Sequence, residues 1–106
     1  MEVNNLEAIM ELILNGGDAK NHALDAIKAA KAGDFNLAKE KMEDASKALV
    51  KAHKSQSEML YKEANGEGDK LNLLMVHAQD HLMTSICFID LAKEIIEVYE
   101  KIEKGA

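Results

Sequence analysis

The sequence predicts an all-α fold, a single domain built as an antiparallel three-helix bundle. Three observations carry that reading. The 106 residues contain no proline and only two Tyr and two Phe. Ala, Leu, Ile, Lys and Glu dominate, the composition of long helices. Two turn-type breaks, Gly33-Asp34 and Asn65-Gly66-Glu67-Gly68-Asp69, divide the chain into three stretches of helical periodicity.

The first helix is expected at about 5–31, with Leu6, Ile9, Ile13, Leu24 and Ile27 as its apolar stripe. Gly16-Gly17 interrupts it. Each glycine costs about 1 kcal/mol in a helix interior, so the pair signals a kink or the close approach of a neighbour. The second helix spans about 34–64. Asp34 is a good N-cap, and the stripe Ala38, Met42, Ala45, Leu49, Ala52, Gln56, Met59 alternates spacings of four and three. Gln56 is its polar exception, and the row beside it carries His53. The third helix is expected at about 69–101, starting near Asp69.

The third helix is too apolar for its surroundings. From Leu71 to Ala92 it has no Lys, Arg or Glu. One row holds Leu74, Ala78, Phe88, Ala92, Ile95 and Tyr99, and a second holds Met75, Leu82, Ile86, Ile89 and Ile96. A third holds Leu73, Cys87, Leu91 and Val98 together with His77, Asp80 and Thr84. A helix that is apolar all round is buried all round, and two partner helices cannot surround it. A membrane span would be long enough. Yet Asn72, His77, Gln79, Asp80, His81 and Asp90 lie within it, and such a span inserts poorly. Self-association is the better answer, with the third row facing a symmetry axis or the groove between subunits.

Charge and cysteine usage narrow the function. The net charge is −6 with Lys and Glu interleaved, which disfavours nucleic acid and anionic membrane surfaces. Cys87 is the single cysteine, expected to be a buried, inert thiol in its apolar run. No basic-then-apolar leader opens the chain, and a reducing, cytoplasmic setting is expected. Gly66-x-Gly68 is too short for a phosphate cradle, so a nucleoside triphosphate is not the expected ligand.

The chemistry concentrates in Val76-His77-Ala78-Gln79-Asp80-His81-Leu82-Met83-Thr84-Ser85. His77, Asp80 and His81 stand at i, i+3 and i+4, on one face of a helix. Ionisable groups on an apolar surface are costly unless paired, hydrogen-bonded or metal-bound. A neutral imidazole can attack phosphorus or bind a metal, and a hydrogen-bonded structural histidine is the plain alternative. If Asp80 faces a symmetry axis its copies meet there, and their repulsion calls for a cation or shared protons. Oxygen-only ligation favours Mg²⁺ or Ca²⁺ over zinc. His77 and His81 also have the H-x-x-x-H spacing of a zinc site. A catalytic zinc needs a third ligand and a substrate cleft, which a small helical domain does not offer.

This ten-residue segment resembles the phosphorylation motif of the lactose/cellobiose-class IIA proteins of the bacterial sugar phosphotransferase system. Ala29-Ala30-Lys31-Ala32-Gly33-Asp34-Phe35 resembles the family's first interhelical turn. Ala52-His53-x-x-Gln56 resembles its second-helix signature, and Ala64-x-Gly66-Glu67-Gly68 the following loop. Ala78 in the motif is similar to the cellobiose and chitobiose branch, where lactose relatives often carry Gly.

The resemblance implies a cytoplasmic homotrimer of three-helix subunits. It implies His77 as a phosphohistidine, with Nε2 the favoured nitrogen, charged by phospho-HPr and discharged to a cysteine of the IIB component. The IIC permease is involved only indirectly. It implies that Asp80 from three subunits meets one divalent cation, usually Mg²⁺, on the three-fold axis. His81 is expected to orient or hydrogen-bond within the site, and one or both of Gln56 and His53 to reach it, within a subunit or across the interface. Leu73, Met75 and Met83 are candidates for docking surface. The other reading open at this point is a metal-binding helical oligomer that serves as a regulatory or scaffold module without phosphotransfer. The residues do not name the sugar.

Overall fold

The computed structural model describes residues 3–68 and 70–105. Three α-helices account for nearly all of them: α1 (Val3–Lys31), α2 (Phe35–Ala64) and α3 (Leu73–Gly105). They form a rod of 57 × 20 × 18 Å. Ala29 and Ala30 of α1 cluster with Ala38 of α2 and with Ile96 and Tyr99 of α3 at one end. Ile9 and Leu12 cluster with Ala52, Ala78 and Leu82 at the other. So α1 and α3 run parallel, with α2 antiparallel to both. Helix α1 packs along both partners, while α2 and α3 meet more sparsely.

Each turn follows from its residues. Gly33 takes φ +84°, a conformation that costs glycine no Cβ clash. Its N–H donates to Ala30 O, and the Asp34 N–H donates to Ala29 O, which closes the end of α1 in a Schellman arrangement. Asp34 then turns at once into an N-cap, its Oδ1 accepting from Leu37 N at 3.0 Å. Gly66, at φ +76°, ends α2 the same way, with the Glu67 N–H donating to Lys62 O at 2.8 Å.

The start of α3 departs from the sequence expectation. Asn72 is its cap: Oδ1 accepts from Met75 N at 2.8 Å, and its carbonyl accepts from Val76 N. The helix therefore begins at Leu73 and continues to Gly105, and Asp69 lies outside the described residues. Asn72 sits inside the apolar run, where periodicity alone reads it as a polar interruption of a helix already under way.

The interior is a seam of small residues. On α1 the buried row is Ile9, Leu12, Gly16, Ala19, Ala23, Ala26 and Ala30, spaced by three and four as in left-handed bundles. Leu24, expected on the stripe, is exposed. Helix α2 contributes Ala38, Ala45, Ala48, Ala52 and Ser55, so its buried face lies slightly to one side of the predicted stripe. Alanine seams let helix axes approach closely, and the larger Ile13, Met42, Leu49 and Met59 then pack around the flanks.

Helix α3 turns Ala78, Leu82, Ser85, Ile89 and Ala92 inward. Its third row points out of the bundle: Leu73 is 84% exposed, Leu91 61% and Val98 55%. Cys87 lies on that row and is exposed, which corrects the expected buried thiol. The apolar run predicted its surroundings, but the helical register put it on the side away from α1 and α2. Among the described residues, no helix is long and apolar enough to cross a membrane.

Candidate functional site

All three chemistry-bearing residues of the motif project from the second and third turns of α3. His77 is exposed, Asp80 is exposed and His81 is half-buried. The i to i+4 spacing stacks the imidazoles one above the other. His81 Nε2 lies 3.1 Å from His77 Nε2, and the rings stand edge to face at 89° with centroids 4.5 Å apart. At that distance one nitrogen donates and the other accepts. One imidazole therefore keeps a lone pair directed at its neighbour.

Beneath His81 the two parallel helices α1 and α3 approach closely at Gly16. A Cβ on Gly16 would lie 3.2 Å from both the carbonyl carbon and oxygen of His81. This is the close approach that the Gly16-Gly17 pair signalled, and α1 runs through it unbroken. Ser85, almost fully buried, places its Oγ 2.6 Å from Gly16 O and 2.6 Å from His81 O. Sequence reading assigned Ser85 no role. Its signal was a hydroxyl on the inward row of α3, which must find an acceptor.

Asp80 faces outward with Leu73, Thr84, Cys87 and Leu91. The Thr84 hydroxyl donates back to the Asp80 carbonyl at 2.7 Å, which leaves the carboxylate free of it. Within one chain no group of three or more His, Cys, Asp or Glu side chains among the described residues is arranged to hold a metal. Near the motif one chain offers a single carboxylate on this row. That donor fits a hard cation only where symmetry copies bring further oxygens to it.

Gln56 does not reach the imidazoles within the subunit. Its Nε2 donates to Gln79 Oε1 at 2.8 Å, and Gln79 Nε2 in turn lies 3.8 Å from the Met59 sulfur. Gln79 is on the α2 side of α3 and the histidines are on the α1 side, so the helix itself separates them. The pair bridges α2 to α3 where the two helices otherwise touch little. His53 is exposed on α2. Next to the bridge, Met59, Leu71, Met75, Val76, Gln79 and Asp80 line a groove of about 320 Å³. Met75 in the groove is half-buried, while Leu73 and Met83 are exposed and do not line it.

The sequence profile described as "PTS system, Lactose/Cellobiose specific IIA subunit" matches residues 7–100, all three helices and the whole motif. The chain belongs to this family. A lichenan-specific phosphotransferase enzyme IIA component of Bacillus subtilis is 49% identical to this IIA subunit over 102 residues, which cover 94% of this chain and 93% of the relative. The cellobiose-specific enzyme IIA of Bacillus anthracis superposes with a TM-score of 0.96 at 39% identity, covering 100% of this chain and 97% of that one. The Escherichia coli chitobiose-specific IIA, solved in complex with HPr, superposes with a TM-score of 0.82 at 41% identity, covering 97% and 98%. IIA components are the relay members of the phosphotransferase system, so this IIA subunit is a phosphotransferase component of the cellobiose, chitobiose and lactose type. Membership decides against a scaffold that transfers no phosphate.

Proposed function

We propose that this IIA subunit accepts a phosphoryl group on His77 Nε2 from phosphorylated HPr and passes it to a cysteine of its cognate IIB component. The uptake it serves is that of a β-linked disaccharide of the cellobiose, chitobiose or lactose type. The observation that carries the reading is the exposed His77 imidazole, its Nε2 set 3.1 Å from that of His81, in a chain of this family.

The chemistry is a displacement at phosphorus. A lone pair of His77 forms the new N–P bond. The donor's bond to phosphorus breaks, its electron pair returns to the donor nitrogen, and the donor ring takes up a proton from the medium. The His77 ring loses its remaining N–H proton to the medium and regains a proton when the IIB thiolate forms the S–P bond. Both partners must reach one nitrogen in turn, and the exposure of His77 permits that.

The subunit works as a homotrimer in the cytoplasm, with the outward row of α3 around the three-fold axis. Three Asp80 carboxylates would hold one Mg²⁺ there, and the ion would offset their mutual repulsion. The support for this is the outward row itself, where the large apolar side chains of Leu73, Leu91 and Val98 share a 3.5-residue repeat with Asp80.

Incubation with phosphorylated HPr, followed by mass measurement, tests the transfer. A gain of one phosphate per chain that acid removes, lost in His77→Ala and only slowed in His81→Ala, is the expected result. Labelling that survives His77→Ala and disappears in His81→Ala would overturn the assignment.

A further inference from the structure

We propose that the flank of α1 beside the imidazole pair, centred on Gly17, is the surface on which the phosphorylated donor protein docks, a proposal that rests on His77 being the phosphoryl acceptor.

The two glycines of α1 differ. Gly16 has its reason inside the subunit, because a Cβ there would lie 3.2 Å from the His81 carbonyl. Gly17 has no such reason. It stands inside a 29-residue helix, where glycine is a poorer helix former than any ordinary residue. Its φ is not in the left-handed region, and a Cβ on it would meet nothing within 4 Å. A bare backbone in open space suits the close approach of something outside the subunit.

The neighbours of Gly17 on the helix surface show where it faces. Ile13, four residues back, packs on the buried cluster that holds Leu82 of α3. Lys20, three residues on, holds its ammonium 5.7 Å from the centroid of the Phe88 ring. Phe88 stands seven residues beyond His81 and therefore on the same face of α3. Gly17 thus borders the cleft between α1 and α3 close to His81, which Gly16 touches. On its solvent side α1 carries Met10, Leu14, Gly17 and Asn21 at spacings of four, three and four. Met10 is 50% exposed and Leu14 62%. An exposed apolar row with this period fits another helix laid along it.

Charge selects the occupant. A donor that reaches His77 brings a negatively charged phosphoryl group, and the exposed Lys20 is a cation at the edge of the bare patch, held there by the Phe88 ring. A second copy of this chain, with its net charge of −6, brings no such group. The phosphorylated donor fits both the apolar row and the lysine.

Two variants of the full chain test the flank. Gly17→Gln fills the patch with a good helix former, and Lys20→Gln removes the cation. Phosphoryl transfer is measured from phosphorylated HPr and from phosphoramidate, a small donor whose P–N bond breaks to release ammonia as the His77 N–P bond forms. The small donor needs no docking surface. For Gly17→Gln the ratio of the HPr rate to the phosphoramidate rate is expected to fall about tenfold, the loss typical of an obstructed contact centre. Affinity for unphosphorylated HPr, measured by titration, should fall with it, while circular dichroism and sedimentation show a helical protein of wild-type mass. Lys20→Gln should slow association with phosphorylated HPr and weaken its salt dependence, and Lys20→Arg should restore both.

A wild-type ratio and wild-type affinity in Gly17→Gln would overturn the proposal. So would a changed sedimenting mass, because a second copy would then be the occupant, and so would a salt dependence that Lys20→Gln leaves unaltered. A wild-type protein labelled by neither donor would refute the acceptor reading instead, and the HPr titration would still judge the flank.

Discussion

Leu91→Lys should dissolve the trimer and leave the subunit helical. In the isolated chain Leu91 is 61% exposed on the outward row of α3. Complete burial of a leucine side chain is worth about 1.5–3 kcal/mol, so covering what remains here contributes about 1–2 kcal/mol per subunit. Three copies give about 3–6 kcal/mol, or roughly two to four powers of ten in the association constant. The variant forfeits that and brings three ammonium groups toward one axis, where like charges at short range add to the loss. The subunit interior is untouched, because Leu91 packs against none of the buried clusters. Sedimentation equilibrium across micromolar concentrations gives the mass, and circular dichroism gives the helix content. Wild type should sediment as three chains, and Leu91→Lys as one with its helices kept. A variant that still sediments as a trimer, or a wild type that is monomeric in this range, would show that this row does not line the axis.

Three further outcomes are expected. Chelation should lower the melting temperature of wild type near neutral pH but leave Asp80→Leu unmoved, since replacing clustered buried charges by apolar groups is often neutral or stabilising; a chelator effect that persists in Asp80→Leu would place the ion elsewhere. Leu82→Ala, at a fully buried position beside Ile9, Leu12 and Ala78, should cost about 2–5 kcal/mol in denaturant unfolding, and a loss under 1 kcal/mol would mean that the seam collapses onto the hole. Asp34→Ala removes the acceptor for Leu37 N and should cost about 1 kcal/mol, whereas Asp34→Asn, which keeps an acceptor oxygen, should cost much less.

Much of this was legible in the sequence. The glycine turns, three helices and the outward row of α3 follow from punctuation and period, because Gly33 and Gly66 have few other uses and a row is fixed by 3.6 residues per turn. The seam of α1 was harder to read. Hydrophobic periodicity weighs Leu and Ile above Ala, and here the alanines hold the centre while Leu24 faces water. The cap at Asn72 was hidden by the apolar residues on both sides of it. Gln56 announced a partner without naming one, since Gln79 became its neighbour only through the antiparallel packing of α2 on the bundle. His77 and His81 were visible as a pair because one helix carries both. The contact of Gly16 with His81 joins residues far apart in the chain, and the double glycine could signal only that something comes close.

The alanine seam bears on how the subunit responds to dilution. Among the described residues, eleven of the fifteen buried apolar side chains are alanine. An alanine loses no rotamer freedom on burial, but it also removes little surface from water, so the interior is cheap to order and modest in its return. The larger apolar side chains at Leu73, Leu91, Val98 and Ile102 remain on the outside. In the proposed trimer most of the hydrophobic free energy still to be gained would therefore lie between chains, and folding would be linked to assembly by mass action. The melting temperature should fall as the protein is diluted, and heterologous expression at low level should yield a chain that proteases find more readily than its helix content alone would suggest.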